Sequence, residues 1–453
     1  MKKTLFIAVS KIIYSLTAMP PQGGIRCGEA AFIKALRAAR PRPAAGWRWV
    51  NNCRVSYITL FLLAALPFSA LAADETPDFA GEKLTGNWGG RRDSLFKAGI
   101  SFDIYYKADG WRNFSGGVRR GNRALDNLDV KMTVDGEKAF DAQGMTLFLS
   151  LLNNNGARPN DLSGTSGGIS NFEVPIRSFK FYEACVQQVF ADDRFSVLAG
   201  LHDLNSEFYV TESSGLFLNP TYGIGTEMAA TGDNGPSIFP YTALSVRLAW
   251  NPTDNTYLQG AIFDGVPGDP AHPRGTHIKF GDKDGALLVA EGGVRSDDIG
   301  HFGAGAWEYT ARRPDQLAPA ERKHSRGVYF LADKSVYKNG DRDISAFGRL
   351  GFTAGDVEQF RHGWSFGAVF SGFIPSRKDG QIGFGVSSAA NSRKFKTANA
   401  PVDGGETQIE LTYRDMLLPG LSFQPDLQYT VNPGTDPALK NAWTGGIRMG
   451  IDF

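Results

Sequence analysis

The end of the chain alternates strictly between apolar and polar side chains. In residues 441–453, NAWTGGIRMGIDF, one parity holds Trp443, Ile447, Met449, Ile451 and Phe453. The other parity holds Thr444, Arg448 and Asp452. Side chains of a strand point alternately to its two faces. The pattern therefore predicts a strand with one apolar face and one polar face.

The same period of two recurs from residue 100 onwards. It is clearest over 100–111, 124–134, 194–203, 406–415, 421–431 and 442–453. Weaker alternation marks 145–153, 178–190, 243–250, 256–264, 285–295, 301–312, 327–337, 343–353, 362–374 and 380–389. Together these segments make sixteen predicted strands, an even number of the kind that single-chain bacterial membrane barrels require.

The connections between these strands alternate in length. Short ones are 191–193, 251–255, 296–300, 338–342, 375–379 and 416–420, and long ones are 154–177, 204–242, 265–284, 313–326 and 390–405. Tight turns at one end and long loops at the other are typical of an outer-membrane barrel. The 135–144 connection is longer than this rule expects, and 354–361 is shorter.

A bilayer leaves no backbone polar group unpaired, so a sheet within it must close on itself. We therefore predict an all-β fold, a transmembrane antiparallel β-barrel of sixteen strands over residues 100–453. Its apolar side chains face lipid and its polar ones a water-filled lumen. Segment 442–453 must then pair with segment 100–111.

Residues 1–72 have the features of a leader. Arg54 precedes an apolar core at 57–65, and Ala70-Leu71-Ala72 fits the rule for signal cleavage. We expect a signal peptide with its core and cleavage site in 57–72, cut after Ala72, with an uncleaved anchor as the alternative. Residues 1–50 are unusual ahead of a signal and indicate either an upstream start or a long leader.

Charge and cysteine content narrow the possible partners. The leader holds 10 of the 48 basic residues and one of the 47 acidic ones, so the rest of the chain is mildly acidic. That balance argues against binding to nucleic acid. Beyond the leader, Cys185 is the one cysteine, so no intrachain disulfide is expected there, and the six histidines show no metal-ligand spacing.

A short helix is expected just before the first strand, in a periplasmic segment spanning 73–99. RRDSLFKAG, residues 91–99, predicts one or two helical turns that end at Gly99. This helix would lie at the periplasmic mouth, either as a cap packed on the barrel rim or as an element that narrows the channel.

LTGNWGGRRDSLFKAGISFDIYY (84–106) resembles the opening of the carbohydrate-selective outer-membrane porins of the OprB type. The resemblance continues in TALSVRLAWNPTDNTYLQGAIFDG (242–265) and in the terminal GGIRMGIDF. It implies a Gram-negative outer-membrane protein with a sixteen-stranded barrel that passes monosaccharides by facilitated diffusion, without a cofactor.

Candidate solute contacts follow from sugar chemistry, since aromatic rings cover C–H faces and charged or amide groups bind hydroxyls. In general porins the loop after strand five bends into the lumen. By that analogy, the constriction begins with Asp203, Asn205, Glu207 and Phe208. The alternative is an ordinary surface loop with solvated acids.

A basic wall is expected to face this loop. Its candidates are Trp111, Arg112, Arg119, Arg120 and Arg123. Trp111 instead fits an aromatic girdle at the membrane interface, and the last three arginines instead fit a site for lipopolysaccharide phosphates. Glu173 and Arg177 form a further candidate contact, either with solute or as a structural ion pair with each other.

Other functions find less support in the sequence. GTSGG (164–168) matches a nucleophile pattern but lies in a Gly/Ser-rich loop without strand–turn–helix context. No catalytic residue is therefore expected. The histidine spacing predicts no metal site, and the resemblance implies no cofactor. The alternatives are a general or organic-acid-selective porin, a barrel enzyme, and a soluble β-sandwich. Expected partners are sugars, outer-membrane lipid and lipopolysaccharide, and the barrel-assembly machinery through Phe453, with the protein a monomer or homotrimer.

Overall fold

Alternating side chains form strands where their pattern predicts them. The computed structural model describes residues 77–453, so the leader and the expected cleavage after Ala72 lie outside the described residues. The strands are β1 Ile100–Gly117, β2 Gly121–Asp135, β3 Met145–Gly156, β4 Ser178–Phe190, β5 Phe195–His202, β6 Ala243–Thr253, β7 Thr256–Asp264, β8 Ala286–Ser296, β9 Gly300–Pro314, β10 Arg322–Asn339, β11 Arg342–Thr353, β12 Phe360–Ser371, β13 Gln381–Asn391, β14 Gly405–Leu418, β15 Leu421–Val431 and β16 Lys440–Asp452.

These strands form one closed antiparallel barrel in which each strand pairs with its neighbours in sequence. β16 closes the barrel against β1, with Tyr105 opposite Asp452 and Asp109 opposite Arg448. Closure leaves no unpaired sheet edge, as a hydrocarbon environment demands. The predicted fold and the pairing of the two terminal strands are confirmed.

The helices within residues 77–453 are short. The α-helices are Phe79–Glu82, Arg91–Lys97, Gly136–Phe140, Asn160–Ser163, Thr226–Ala229 and Arg393–Ala398, and the 3-10 helices are Trp88–Gly90, Leu204–Ser206, Ser213–Leu216, Pro220–Tyr222 and Pro433–Thr435. Among residues 77–453, no helix combines the length and the apolar character needed to cross a bilayer. The 135–144 connection is long because it holds a helical turn, which the Asp135 carboxylate caps by accepting from the Glu137 and Lys138 amides.

The outer face of the barrel is apolar and has aromatic residues towards both ends. Phe195 and Trp250 stack at 5.9 Å near the short turns, and Tyr429 and Trp443 lie 4.6 Å apart near the long loops. Between them lie exposed side chains such as Leu248, Ile262, Phe330, Phe366 and Leu411. An apolar band between aromatic girdles is the surface of an outer-membrane barrel.

The N-terminal segment sits on the seam between β1 and β16. Helix Arg91–Lys97 ends before Gly99, whose φ of 81° is the left-handed conformation predicted for it. The Lys83 ammonium lies 2.9 Å from the Asp452 carboxylate and 3.3 Å from that of Asp103. Arg92 donates to the carbonyl oxygen of Phe453. This placement favours the interpretation of the segment as a rim cap.

Candidate functional site

Residues 203–242, the inward loop, fold into the barrel and are held there by its polar inner wall. The Tyr209 amide donates to Glu291 on β8 at 2.8 Å, and the Ser213 amide donates to Asp333 on β10 at 2.7 Å. The Leu218 amide donates to Glu410 on β14 at 2.7 Å. A loop inside a barrel has no strand partner, so wall side chains must satisfy its backbone.

Arg349 on β11 donates hydrogen bonds to carbonyl groups of the same loop. Its side chain is 1% exposed. The guanidinium donates to Gly223 O at 2.6 Å, to Tyr209 O at 3.3 Å and to the carbonyl of Tyr222. One buried cation thus ties together both ends of the segment 209–223.

Glu227 seats the loop helix Thr226–Ala229 against β11 and β12. Its carboxylate accepts from the Tyr209 hydroxyl at 2.9 Å. The two carboxylate oxygens occupy the space that side chains at Gly351 and Gly363 would fill. Glycine at these two wall positions therefore provides the niche that the carboxylate enters.

The base of the inward loop is fixed by a buried charge network. Arg247 on β6 donates to Glu207 through Nε at 2.8 Å and Nη2 at 2.6 Å, and His202 lies between Glu183 and Glu207 at 3.0 and 3.2 Å. Burial alone would raise the pKa of the Glu207 carboxyl, but the His202 hydrogen bond and the Arg247 charge lower it to about 2. Glu207 therefore remains an anion at neutral pH.

The loop between β3 and β4 also bends inward and covers the opposite part of the wall. The Ser166 and Gly167 amides donate to Glu406 on β14 at 2.8 and 3.0 Å. Ser170 donates to Asp109 at 2.8 Å, and Asp109 in turn accepts from Arg448. Wall carboxylates on β1 and β14 thus hold this loop in place.

The inner wall stays partly exposed on β1 and β2. We call this part the open strip, and it consists of Asp103, Tyr105, Lys107, Asp129 and Lys131. The side chains of Asp103, Asp129 and Lys131 are 37%, 15% and 26% exposed. Lys131 lies 3.4 Å from Asp129, and the Lys107 ammonium lies 5.7 Å from the centre of the Tyr105 ring. The strip places charged groups of both signs beside an aromatic ring.

The predicted basic wall is only partly brought together. Trp111 lies on the lumen side, 3% exposed, and its indole donates to Asp109 at 3.0 Å, so the girdle alternative is wrong. Arg123 is opposite Trp111 in the register and shares its face. Arg112 is exposed on the outer face over the Phe114 ring, so its assignment to the lumen wall is wrong. Adjacent residues of a strand cannot face the same side.

Arg119 and Arg120 lie in the β1–β2 connection and are exposed at the long-loop end. They do not form the wall facing the inward loop, because they belong to the outer rim. Their alternative role, contact with lipopolysaccharide phosphates, stays a prediction.

Glu173 and Arg177 do not form the predicted ion pair. Glu173 accepts from the amides of Asn160 and Ile169 at 3.0 and 2.9 Å, while the Arg177 guanidinium donates to Gly156 O at 3.0 Å. Burial raises the pKa of Glu173, although these amide bonds act to lower it. Each side chain closes its own part of the loop.

The four residues predicted to begin the constriction lie at the loop base. Asp203 accepts from the Asn205 amide at 2.8 Å, and burial raises the Asp203 pKa to about 6. Asn205 donates to Phe208 O at 3.1 Å. Glu207 and Phe208 are 6% and 0% exposed, so they anchor the loop and do not line an open passage.

Comparisons with known proteins agree with this geometry. The model of the carbohydrate-selective porin, OprB family, matches residues 119–453. Porin B of Pseudomonas aeruginosa is 22% identical over 441 residues, which cover 87% of this chain and 96% of Porin B. The high-pH structure of Pseudomonas putida OprB aligns with a TM-score of 0.75 and 19% identity over 84% of this chain and all of that one. The low-pH structure of the same protein aligns with a TM-score of 0.55 and 17% identity, over 83% of this chain and all of that one.

Proposed function

Because this chain belongs to the carbohydrate-selective porin family OprB, and so forms a sugar channel of the Gram-negative outer membrane, we propose that it conducts monosaccharides of glucose size. The proposed mechanism is facilitated diffusion through the part of the lumen that the two infolded loops leave open. Conduction requires a site that binds strongly enough to favour entry and weakly enough to permit exit.

The open strip is the observation that carries this proposal. The wall carboxylates of Glu291, Asp333 and Glu410 accept from loop amides. Asp103, Lys107 and Lys131 keep exposed surface, and Asp103 also pairs with Lys83 at 3.3 Å. A carboxylate accepts from a sugar hydroxyl and an ammonium donates to one, while the Tyr105 ring offers a flat apolar face. Mixed signs within a short stretch suit a neutral polyhydroxylated solute better than a single anion.

Single-channel recording with glucose tests this proposal. We expect added glucose to reduce the ion current of the native protein in a saturable way. Lys131→Met should raise the half-blocking glucose concentration by about tenfold, because a lost hydrogen bond to a charged group is worth about 1.5 kcal/mol. Lys338→Met, which alters an exposed lysine at the short-turn end of β10, is the matched control and should behave as native.

Two results would contradict the proposal. One is a native current that no sugar reduces. The other is block by a small organic acid at lower concentration than by glucose, which would instead support the organic-acid alternative.

A further inference from the structure

The outer face of β8–β12 carries a row of basic side chains near the long-loop end. Strand registers place Leu288 beside Glu308, and Glu308 beside Arg326. The Ala354 amide then donates to Arg326 O, and Arg361 donates to the carbonyls of Thr353 and Ala354. We call the level that these residues form around the barrel the basic level, and it consists of Leu288, Glu308, Arg326, Ala354 and Arg361.

The next level towards the barrel middle is apolar and shallow. Ala290 pairs with Ala306, Ala306 pairs with Val328, and Val328 pairs with Phe352. The two alanines leave a depression between larger neighbours, and the groove they form with the basic level encloses about 580 Å³. The groove is open to the outside of the barrel and ends against Arg326 and Arg361.

Glu308 is an acid within the basic level, and Arg312 on β9 and Arg322 on β10 lie just beyond it towards the long loops. Arg312 donates to His324 at 3.0 Å, and Arg322 donates to Arg312 O at 2.6 Å. Among residues 77–453, none of the guanidinium groups of Arg312, Arg322, Arg326 and Arg361 forms an ion pair with a carboxylate. Beside them, Lys323 pairs with Glu321 at 2.8 Å, and His324 lies 3.6 Å from Glu308.

We propose that this surface binds the lipid A part of lipopolysaccharide, with an acyl chain in the Ala290–Ala306 groove and a phosphate on Arg326 and Arg361. The long loops of such barrels face outward, so the basic level lies at the headgroups of the outer leaflet. Guanidinium groups bind phosphate in bidentate fashion. A second copy of the chain is a poor occupant, because a twofold contact would set these arginines against each other.

The test measures retention of bis-phosphorylated hexa-acyl lipid A by the purified full barrel, using native mass spectrometry. The native protein should retain it. An Arg326→Ala and Arg361→Ala double variant should bind at least about tenfold more weakly, as expected for loss of charge-assisted phosphate contacts. Ala306→Trp, which fills the groove, should also lose the lipid. Ala304→Trp, on the same strand and face but outside the groove, is the matched control and should retain it.

Phosphatidylglycerol and dephosphorylated lipid A serve as the comparison lipids, and both should bind more weakly than bis-phosphorylated lipid A. Heat-modifiable migration in detergent gels identifies any variant that has not folded, and Ala306→Trp keeps all the arginines. Native-level retention of lipid A by either the double variant or Ala306→Trp would overturn the proposal. So would a native dimer that Ala306→Trp abolishes, since this face would then join two copies.

Discussion

Replacing Arg349 with methionine should release the inward loop from the barrel wall and raise the single-channel conductance. The substitution leaves the carbonyls of Tyr209, Tyr222 and Gly223 without their donor. Each hydrogen bond to a charged group contributes about 1.5–3 kcal/mol, so the loop loses several kcal/mol of anchoring. The barrel should persist because the β11 ladder bonds are backbone bonds and remain intact.

Arg342→Met provides the control on the same strand. Arg342 is exposed at the short-turn end of β11, where it lies 5.7 Å from the centre of the Phe373 ring. The single-channel conductance of the Arg342→Met variant should equal that of the native protein. A folded Arg349→Met barrel with native conductance would show that the loop does not need this anchor.

Replacing Arg247 with methionine should have the second largest effect, by freeing the base of the inward loop. Glu207 would remain buried with its Arg247 partner removed, and breaking such a pair costs about 3–5 kcal/mol. We expect the amides of residues 203–210 to exchange with deuterium much faster than in the native protein. We also expect the current to fluctuate between levels as the loop base moves.

Arg194→Met is the matched control for that experiment. Arg194 pairs with Asp254 at 3.0 Å, but the two side chains are 43% and 89% exposed. An exposed pair of this kind contributes about 0–1 kcal/mol, so loop exchange should not change. If Arg247→Met and Arg194→Met exchanged alike, the buried network would not be what fixes the loop base.

The barrel was predictable because the side chains of each strand alternate between two different environments. Lipid on one side and polar wall on the other impose this alternation on each strand. The pattern fails where a strand extends beyond the membrane. β10 begins at Arg322, whereas the predicted segment begins at residue 327. The polar run 322–326 has no apolar face, so alternation did not reveal it as part of the strand.

The infolding of the long loop was predictable only by analogy, and its contacts were not. Loop residues show no periodic pattern of apolar and polar side chains. Because both water and the inner wall are polar, the sequence does not show which of the two an acidic loop residue contacts. Glu207 illustrates this, because its carboxylate pairs with Arg247 and does not line the passage.

The wall anchors themselves left a signal that sequence reasoning did not use. Arg349, Glu291 and Glu410 are charged residues within strands that otherwise alternate with apolar ones. A charge on the inner parity near mid-strand needs a partner in the lumen. The same parity argument would have removed Arg112, because it follows Trp111 directly.

Liposome swelling with sugars of increasing size tests the central claim most directly, namely that infolded loops reduce a sixteen-stranded barrel to a passage for single sugars. Native protein should give rapid swelling in glucose and little in a trisaccharide such as raffinose, whereas Arg349→Met should admit both. Equal swelling of the native protein in glucose and raffinose, or no swelling in either, would contradict the account.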